Sequence, residues 1–427
     1  MPDLLGSAVY WLETSRSDPR PTMRGHHEAD VVVVGGGYTG LWSAYHLLDA
    51  DPSLRIVILE GETIGFGASG RNGGFAMTLL DMSLALLRRN HGDDAARAAH
   101  RAVAESVDEM GRTIEREGID CEWRHGGLMV VATNRAQLER VELDLRTAEE
   151  LGLDGFRRLD RTEARAEVDS PTYLGALREE HCGVLHPAKL ARGLATVVEG
   201  RGATIFEQSP ITDITESGAR LRVETSAGSV TADQVVLATN AWAAHQPWVG
   251  RQVVPLYTYI ALTEPLTDDQ WRSVGWESHC GVEDKRNYVH YYRRTVDGRI
   301  LWGGSDGIVH YGGRISPRHD RSAPPSPVFA RRSAARFPSS TRCVSPTTGE
   351  GPWPSPPTSC RPSPRCWTVG CTPVWATTDT AWHRATRVAR SCATRCSAKP
   401  PSSPSCASST GRSPRSRPSP SSGWVRS

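Results

Sequence analysis

The sequence predicts an α/β protein: a Rossmann-like parallel sheet with helices, interleaved with an antiparallel sheet and followed by a disordered, aberrant C-terminal tail. Three observations carry this reading. A β-branched run from Ala29 to Val34 has no helical period and passes straight into glycines at 35, 37 and 40. Strand-like stretches of a different kind recur between later α/β segments, at 123 to 133, 253 to 263, 288 to 292 and 299 to 304. Composition then breaks near residue 320: positions 321 to 427 hold 16 Lys and Arg against two acids, Glu350 and Asp379, and contain no Leu, Ile or Met.

The Ala29–Val34 run reads as a strand buried on both faces of a parallel sheet. Gly35, Gly37 and Gly40 form G-x-G-x-x-G, and a helix follows with Leu41, Ala44, Leu47 and Leu48 at core spacing. The next strand, 55 to 59, ends in Glu60, 20 residues beyond Gly40. Each part has a physical task in holding a dinucleotide. Gly35 permits the tight turn, Gly37 lets a pyrophosphate approach the backbone, and Gly40 lets helix and strand pack closely. The free N–H groups and positive end of the helix then hold the diphosphate, while Glu60 accepts hydrogen bonds from ribose hydroxyls.

A second glycine-rich loop, Gly65-Phe66-Gly67-Ala68-Ser69-Gly70-Arg71-Asn72-Gly73-Gly74-Phe75, follows that acid directly. Its small residues bring another stretch of backbone against a large ligand, and Ser69, Arg71 and Asn72 supply donors. A plain NAD dehydrogenase gives this loop no role. The strings V-V-V-V-G-G-G-Y-T-G-L and I-G-F-G-A-S-G-R-N-G-G, with Glu60 between them, resemble the D-amino-acid oxidase superfamily, and within it the γ-glutamylputrescine oxidase-like group.

That resemblance implies FAD. It lays Gly67, Ser69, Gly70, Arg71, Asn72, Gly73 and Gly74 along the flavin diphosphate and up to the ring, with Arg71 and Asn72 nearest. It implies a helix opened by His186 and running to about Glu199, a strand from Thr204 to Gln208, and Ile211 returning to the adenine. Ala238, Thr239 and Asn240, in V-V-L-A-T-N-A-W, would pass beneath the diphosphate. The implied chemistry is oxidation of the C–N bond of an amine or amino acid. Hydride goes to flavin N5, the imine hydrolyses, and O2 is reduced to H2O2; the flavin carries the hard step. No catalytic side chain is singled out.

Between the cofactor segments, an antiparallel substrate sheet is expected over the flavin ring. Position offers Tyr257, Tyr259, Tyr288, His290 and Tyr291 as pocket residues, although sheet core is the commoner place for such aromatics. The expected divisions are an N-terminal arm (1–28), FAD-binding segments (29–120 and 185–248), substrate segments (121–184 and 249–320) and the tail (321–427).

Subtracting the tail leaves 34 basic and 46 acidic residues in positions 1 to 320, an acidic body of net −12 joined to a tail of net +14. No apolar run approaches the ~18 residues that cross a bilayer, and the N-terminus lacks a signal-peptide layout. A cytoplasmic protein with no membrane partner is expected. Cys121, Cys182 and Cys280 suggest neither a disulfide framework nor a metal site.

The tail holds 18 of the 29 prolines, yet also five Trp and seven Cys, which a solvated disordered segment lacks. Reading the third base of each codon with the first two of the next lets 347 to 361 encode H-W-G-G-P-V-A-V-T-A-D-F-L-P. In the same offset, 372 to 384 encode A-G-L-G-Y-N-G-H-G-V-A-P. Both strings are C-terminal signatures of the resembled family, in the right order. The tail is therefore expected to be a shifted reading frame, with the break between about Arg321 and Arg336. Two alternatives stay open: a D-amino-acid dehydrogenase-type enzyme with another electron acceptor, and a nucleic-acid-binding role for the basic tail. The second leaves the body's motifs unused, and no nucleic-acid partner is expected.

Overall fold

The computed structural model describes residues 9–80, 82–247, 249, 253–286, 289–304 and 307–320, together with the backbone of 347–354 and 366–368. Tyr288 and most of the tail lie outside these residues.

The Ala29–Val34 run is the heart of the first sheet. Its strand, Gly25–Val34, pairs in parallel with Ile56–Leu59 on one side and Gly228–Leu237 on the other. Thr204–Phe206 extends the parallel set beyond Ile56–Leu59. Ile211–Ser217 and Arg220–Thr225 add an antiparallel meander on the far side. The valines alternate between two cores. Val31 and Val33 pack with Leu41, Leu48, Leu190 and Leu194 of the helices Tyr38–Ala50 and Pro187–Gly200. Val32 and Val34 pack with Leu59, Leu221 and Val223 under the meander. Each such side chain contributes about 1.5 to 3 kcal/mol by burial, which is why a run without polar alternation is stable only at this place.

The second sheet runs, in order, Thr347–Pro354, Val253–Leu262, Ile300–Gly304, His290–Arg294, Gly281–Asp284, Leu128–Ala132, Gly175–Glu179 and Phe156–Leu159. It is antiparallel except where Gly281–Asp284 meets Leu128–Ala132 in parallel. Those two strands come from separated stretches of chain, and the long connection between them supplies the crossover that parallel pairing needs. One face packs Met129, Val131, Val282, Tyr292 and Trp302, with the Tyr292 and Trp302 rings stacked at 4.4 Å. The other face carries Leu128, Val130 and Leu177 with Phe75 and Tyr291, and meets the first sheet's loops.

The tail departs from expectation at two places. Residues 347–354 pair antiparallel with 253–260, and 366–368 pair in parallel with Val235–Leu237. These segments are strands despite the prolines. Pro352 and Pro354 sit on an outer strand, where alternate N–H groups have no partner to lose. Among the described residues, no helix is long and apolar enough to cross a membrane, and Cys121, Cys182 and Cys280 are buried free thiols.

Candidate functional site

The two glycine loops meet at the C-terminal ends of the parallel strands. Gly35 has φ +111°, and a Cβ there would lie 2.4 Å from the Ala238 carbonyl oxygen, so only glycine allows the turn and the close approach of the 238–240 segment. Gly37 caps the Tyr38–Ala50 helix in an extended conformation and offers no side chain to its N–H groups. The Tyr38 N–H donates instead to Ser69 Oγ at 3.0 Å, and the Gly65 N–H donates to the Gly36 carbonyl, which ties the second loop to the first. A Cβ on Gly40 would sit 2.0 Å from the Gly35 carbonyl oxygen, and one on Gly70 2.1 Å from that of Gly65. Both loops are thus backbone surfaces facing one another.

Glu60 ends the second strand as the spacing requires. Its Oε2 accepts the Gly36 N–H at 2.6 Å and its Oε1 the Glu62 N–H at 2.9 Å. Burial pushes this carboxyl above its ordinary range, and the two backbone donors work against that shift. Spare lone pairs remain on a part-buried carboxylate, the arrangement a ribose diol needs. The Ser209 N–H donates to the Glu60 carbonyl, which brings Pro210 and Ile211 alongside; Ile211 packs at the margin of the Leu59 and Phe206 cluster. Thr239 precedes a short helical turn, Asn240 has φ 43°, and Trp242 lies against Gly67.

Arg71 and Asn72 are turned differently from a simple donor role. Asn72 Nδ2 donates to the carbonyls of Ala68 and Ser69, and its Oδ1 accepts the Gly74 N–H. Its amide is therefore spent on shaping the loop. Arg71 is buried, donates to the Phe66 carbonyl and to Asp320 Oδ2 at 2.9 Å, and stacks on the Phe66 ring.

Past Asn72 the loop lies on the second sheet. A Cβ on Gly73 would meet the Tyr291 ring at 2.7 Å; Gly74 has φ +69° and lies against the Leu185 carbonyl and the Arg293 guanidinium. Ile260, Gly303, Tyr291 and Glu283 are successive cross-strand neighbours on this face. Tyr257, Tyr259 and His290 occupy the alternate positions: Tyr257 lies edge-on to His310 and His319, and His290 packs on Trp302. Of the described pocket candidates, Tyr291 is the one brought to the loop.

Arg293, Trp11 and His186 complete the cradle, the first two without a sequence signal. Arg293, 2 % exposed, donates to the carbonyls of Gly74 and Leu185, both at 2.6 Å. Burial pushes its guanidinium down to about 10. Trp11 donates from Nε1 to the Asn72 carbonyl at 2.8 Å, and His186 caps the Pro187–Gly200 helix by accepting the Lys189 N–H. The Y-Y-R-R alternation could have placed Arg293 on the face of Tyr291, but nothing local shows which face is inward. Replacing Arg293 with Met is expected to lower stability by about 3 kcal/mol, since two charge-assisted bonds are lost and two carbonyls are left bare. Urea melts of the variant check this; a change under ~1 kcal/mol would leave Arg293 no part in holding the loop.

A helix start with glycine at its N-cap, a second backbone loop facing it and an acid placed for a ribose fit a flavin dinucleotide. The family model for FAD dependent oxidoreductases of the DAO type matches residues 30–371. The chain belongs to this family. Gamma-glutamylputrescine oxidoreductase of Escherichia coli K12 is 37 % identical over 310 residues, 72 % of this chain and 71 % of the relative. Among solved structures, reduced L-alpha-glycerophosphate oxidase from Mycoplasma pneumoniae with FAD bound superposes with a TM-score of 0.67 at 15 % identity, covering 87 % of this chain and 94 % of the other. Glycine oxidase from Bacillus cereus gives 0.66 at 18 % identity, covering 86 % and 94 %. The cofactor of this DAO-family chain is FAD.

Proposed function

We propose that this DAO-family chain oxidises the C–N bond of a small amine or amino acid, with dioxygen as electron acceptor and the cytoplasm as its place of action. The carrying observation is the 65–75 loop laid against the sheet face that presents Tyr291. The Escherichia coli relative, named for an amine substrate, supports the substrate class. Gly35, Gly37, Gly40, Glu60 and Ser69 would hold the diphosphate and ribose, with 238–240 beneath. Bound FAD supplies the two-electron acceptor for hydride from the carbon beside nitrogen.

The chain's own residues bind, orient and keep the site dry. Phe75 and Tyr291, edge to face at 5.4 Å, wall off the loop from solvent. Burial pushes the Tyr291 phenol upward, so it stays a neutral hydroxyl able to orient an uncharged amine without taking its proton. Arg293 fixes the Gly74 and Leu185 carbonyls and through them the loop. We also propose the division into arm, cofactor and substrate segments at 28, 120, 184, 248 and 320, and a shifted frame beyond about 320.

The test mixes FAD-loaded protein with a panel of amines and amino acids without oxygen, and follows bleaching of the flavin absorbance. At least one substrate is expected to bleach it, and admitting air should restore the colour and release peroxide. No bleaching by any member while FAD stays bound would end the C–N oxidation reading; bleaching without peroxide would end only the dioxygen assignment.

A further inference from the structure

A cavity of about 100 Å3 lies beside the glycine loop, against the sheet face that carries Tyr291. Its floor is Leu128, Val130 and Leu177, and residues 77–80 and 82–84, the first of which follow directly on Gly74 and Phe75, line it from the other side. Glu283, the cross-strand neighbour of Tyr291, lines it, so the cavity begins one strand away from the loop. The walls are mostly hydrocarbon. The polar groups are few and unequal in sign.

Glu179 is 7 % exposed; the Thr78 hydroxyl donates to its Oε1, and its Oε2 has no donor among the described residues. Glu283 accepts no hydrogen bond from any described residue. The one cation is Lys285, and its Nζ is 2.5 Å from Asp144 Oδ2. His100 adds no charge, since burial pushes its imidazole down to about 4. Three carboxyl groups thus face one ammonium that is already paired. Burial pushes Glu179 and Glu283 each up to about 7, a cost that an arriving cation offsets by favouring the ionised forms.

We propose that this cavity binds a second, non-reacting ammonium group of the substrate, between Glu179 and Glu283, while the substrate's hydrocarbon chain runs toward Tyr291. The substrate class is then an amine with two cationic ends joined by methylenes, such as an α,ω-diamine. This rests on the amine-oxidation reading above. A short amino acid would leave Glu283 and the Oε2 of Glu179 without a donor, whereas an ammonium supplies three donors and an opposite charge.

The test titrates the full chain at pH 8 with hexane-1,6-diamine and with hexylamine by calorimetry. The diamine is expected to bind at least about tenfold more tightly, the ratio for one charge-assisted hydrogen bond. In Glu283→Gln and in Glu179→Gln that ratio should fall toward one, with hexylamine binding unchanged. Val130→Phe, which fills the cavity and leaves every carboxyl group in the chain, should weaken the diamine alone and serves if a Gln variant fails to fold. Equal affinity for the two probes in the parent, or a ratio unmoved by all three substitutions, overturns the proposal. Flavin bleaching by amines with no preference for the diamine keeps the oxidation reading and overturns the subsite. A diamine preference without any bleaching does the reverse.

Discussion

Gly37→Val in a frame-restored chain is expected to purify colourless, while Glu60→Ala remains able to take up FAD at high cofactor concentration. The two differ because one change blocks the ligand and the other only weakens it. Gly37 lies at the start of the Tyr38–Ala50 helix, and a Cβ there already comes within 2.9 Å of Ser69 Oγ. Valine adds two methyls at that point, pushes Ser69 from the Tyr38 N–H and stands where the diphosphate must reach the backbone. Turning Ser69 away relieves that contact only by giving up its bond to the Tyr38 N–H, and the methyls still stand before the helix start. Glu60→Ala removes the acceptor for the ribose and also frees the Gly36 and Glu62 N–H groups. Its cost is on the order of 1.5 to 3 kcal/mol, roughly ten- to a hundredfold in affinity. FAD titration followed by gel filtration separates the cases. If both variants keep one FAD per chain, the cradle is assigned to the wrong loops.

The cofactor half was legible because its signals are local. Val31 to Val34 alternate between two cores, so every position must be apolar, and the spacing from Gly40 to Glu60 reflects one helix and one short strand. The substrate half was less so. Whether Tyr291 or its neighbour His290 faces the loop depends on the register linking Ile260, Gly303, Tyr291 and Glu283, four residues on four strands. A shift of one residue would exchange the faces, and no residue type in these strands forbids it. Asn72 shows a different limit. Its side chain is a suitable ligand donor by type, yet the turn from Ala68 to Gly74 takes both of its N–H donors. The pairing of 366–368 with Val235–Leu237 was missed because the proline count spoke against strands anywhere in the tail, while three residues between prolines suffice for a short one.

Restoring the reading frame between the codons for Arg321 and Arg336 is expected to raise bound FAD from a small fraction to about one per chain. The last described contact before the proposed break is the Asp320 pairing with buried Arg71, on the second glycine loop. Beyond it, the shifted strings H-W-G-G-P-V-A-V-T-A-D-F-L-P and A-G-L-G-Y-N-G-H-G-V-A-P would return a strand and a glycine loop. In the resembled family these close the flavin domain over the pyrimidine end of the ring. Among the described residues, the edge at Val235–Leu237 is paired with Cys366–Thr368. The tail's six Val and lack of Leu and Ile leave little apolar side chain to pack over a flavin. Weak retention of the cofactor then follows from an incomplete cover, even though Gly35, Gly37, Glu60 and Ser69 are all in position. The check is to express both versions and record flavin absorbance per chain after gel filtration. Equal, stoichiometric flavin in the two would show that the body alone suffices for binding, and the codon pattern would then bear on the gene's history and not on the cofactor site.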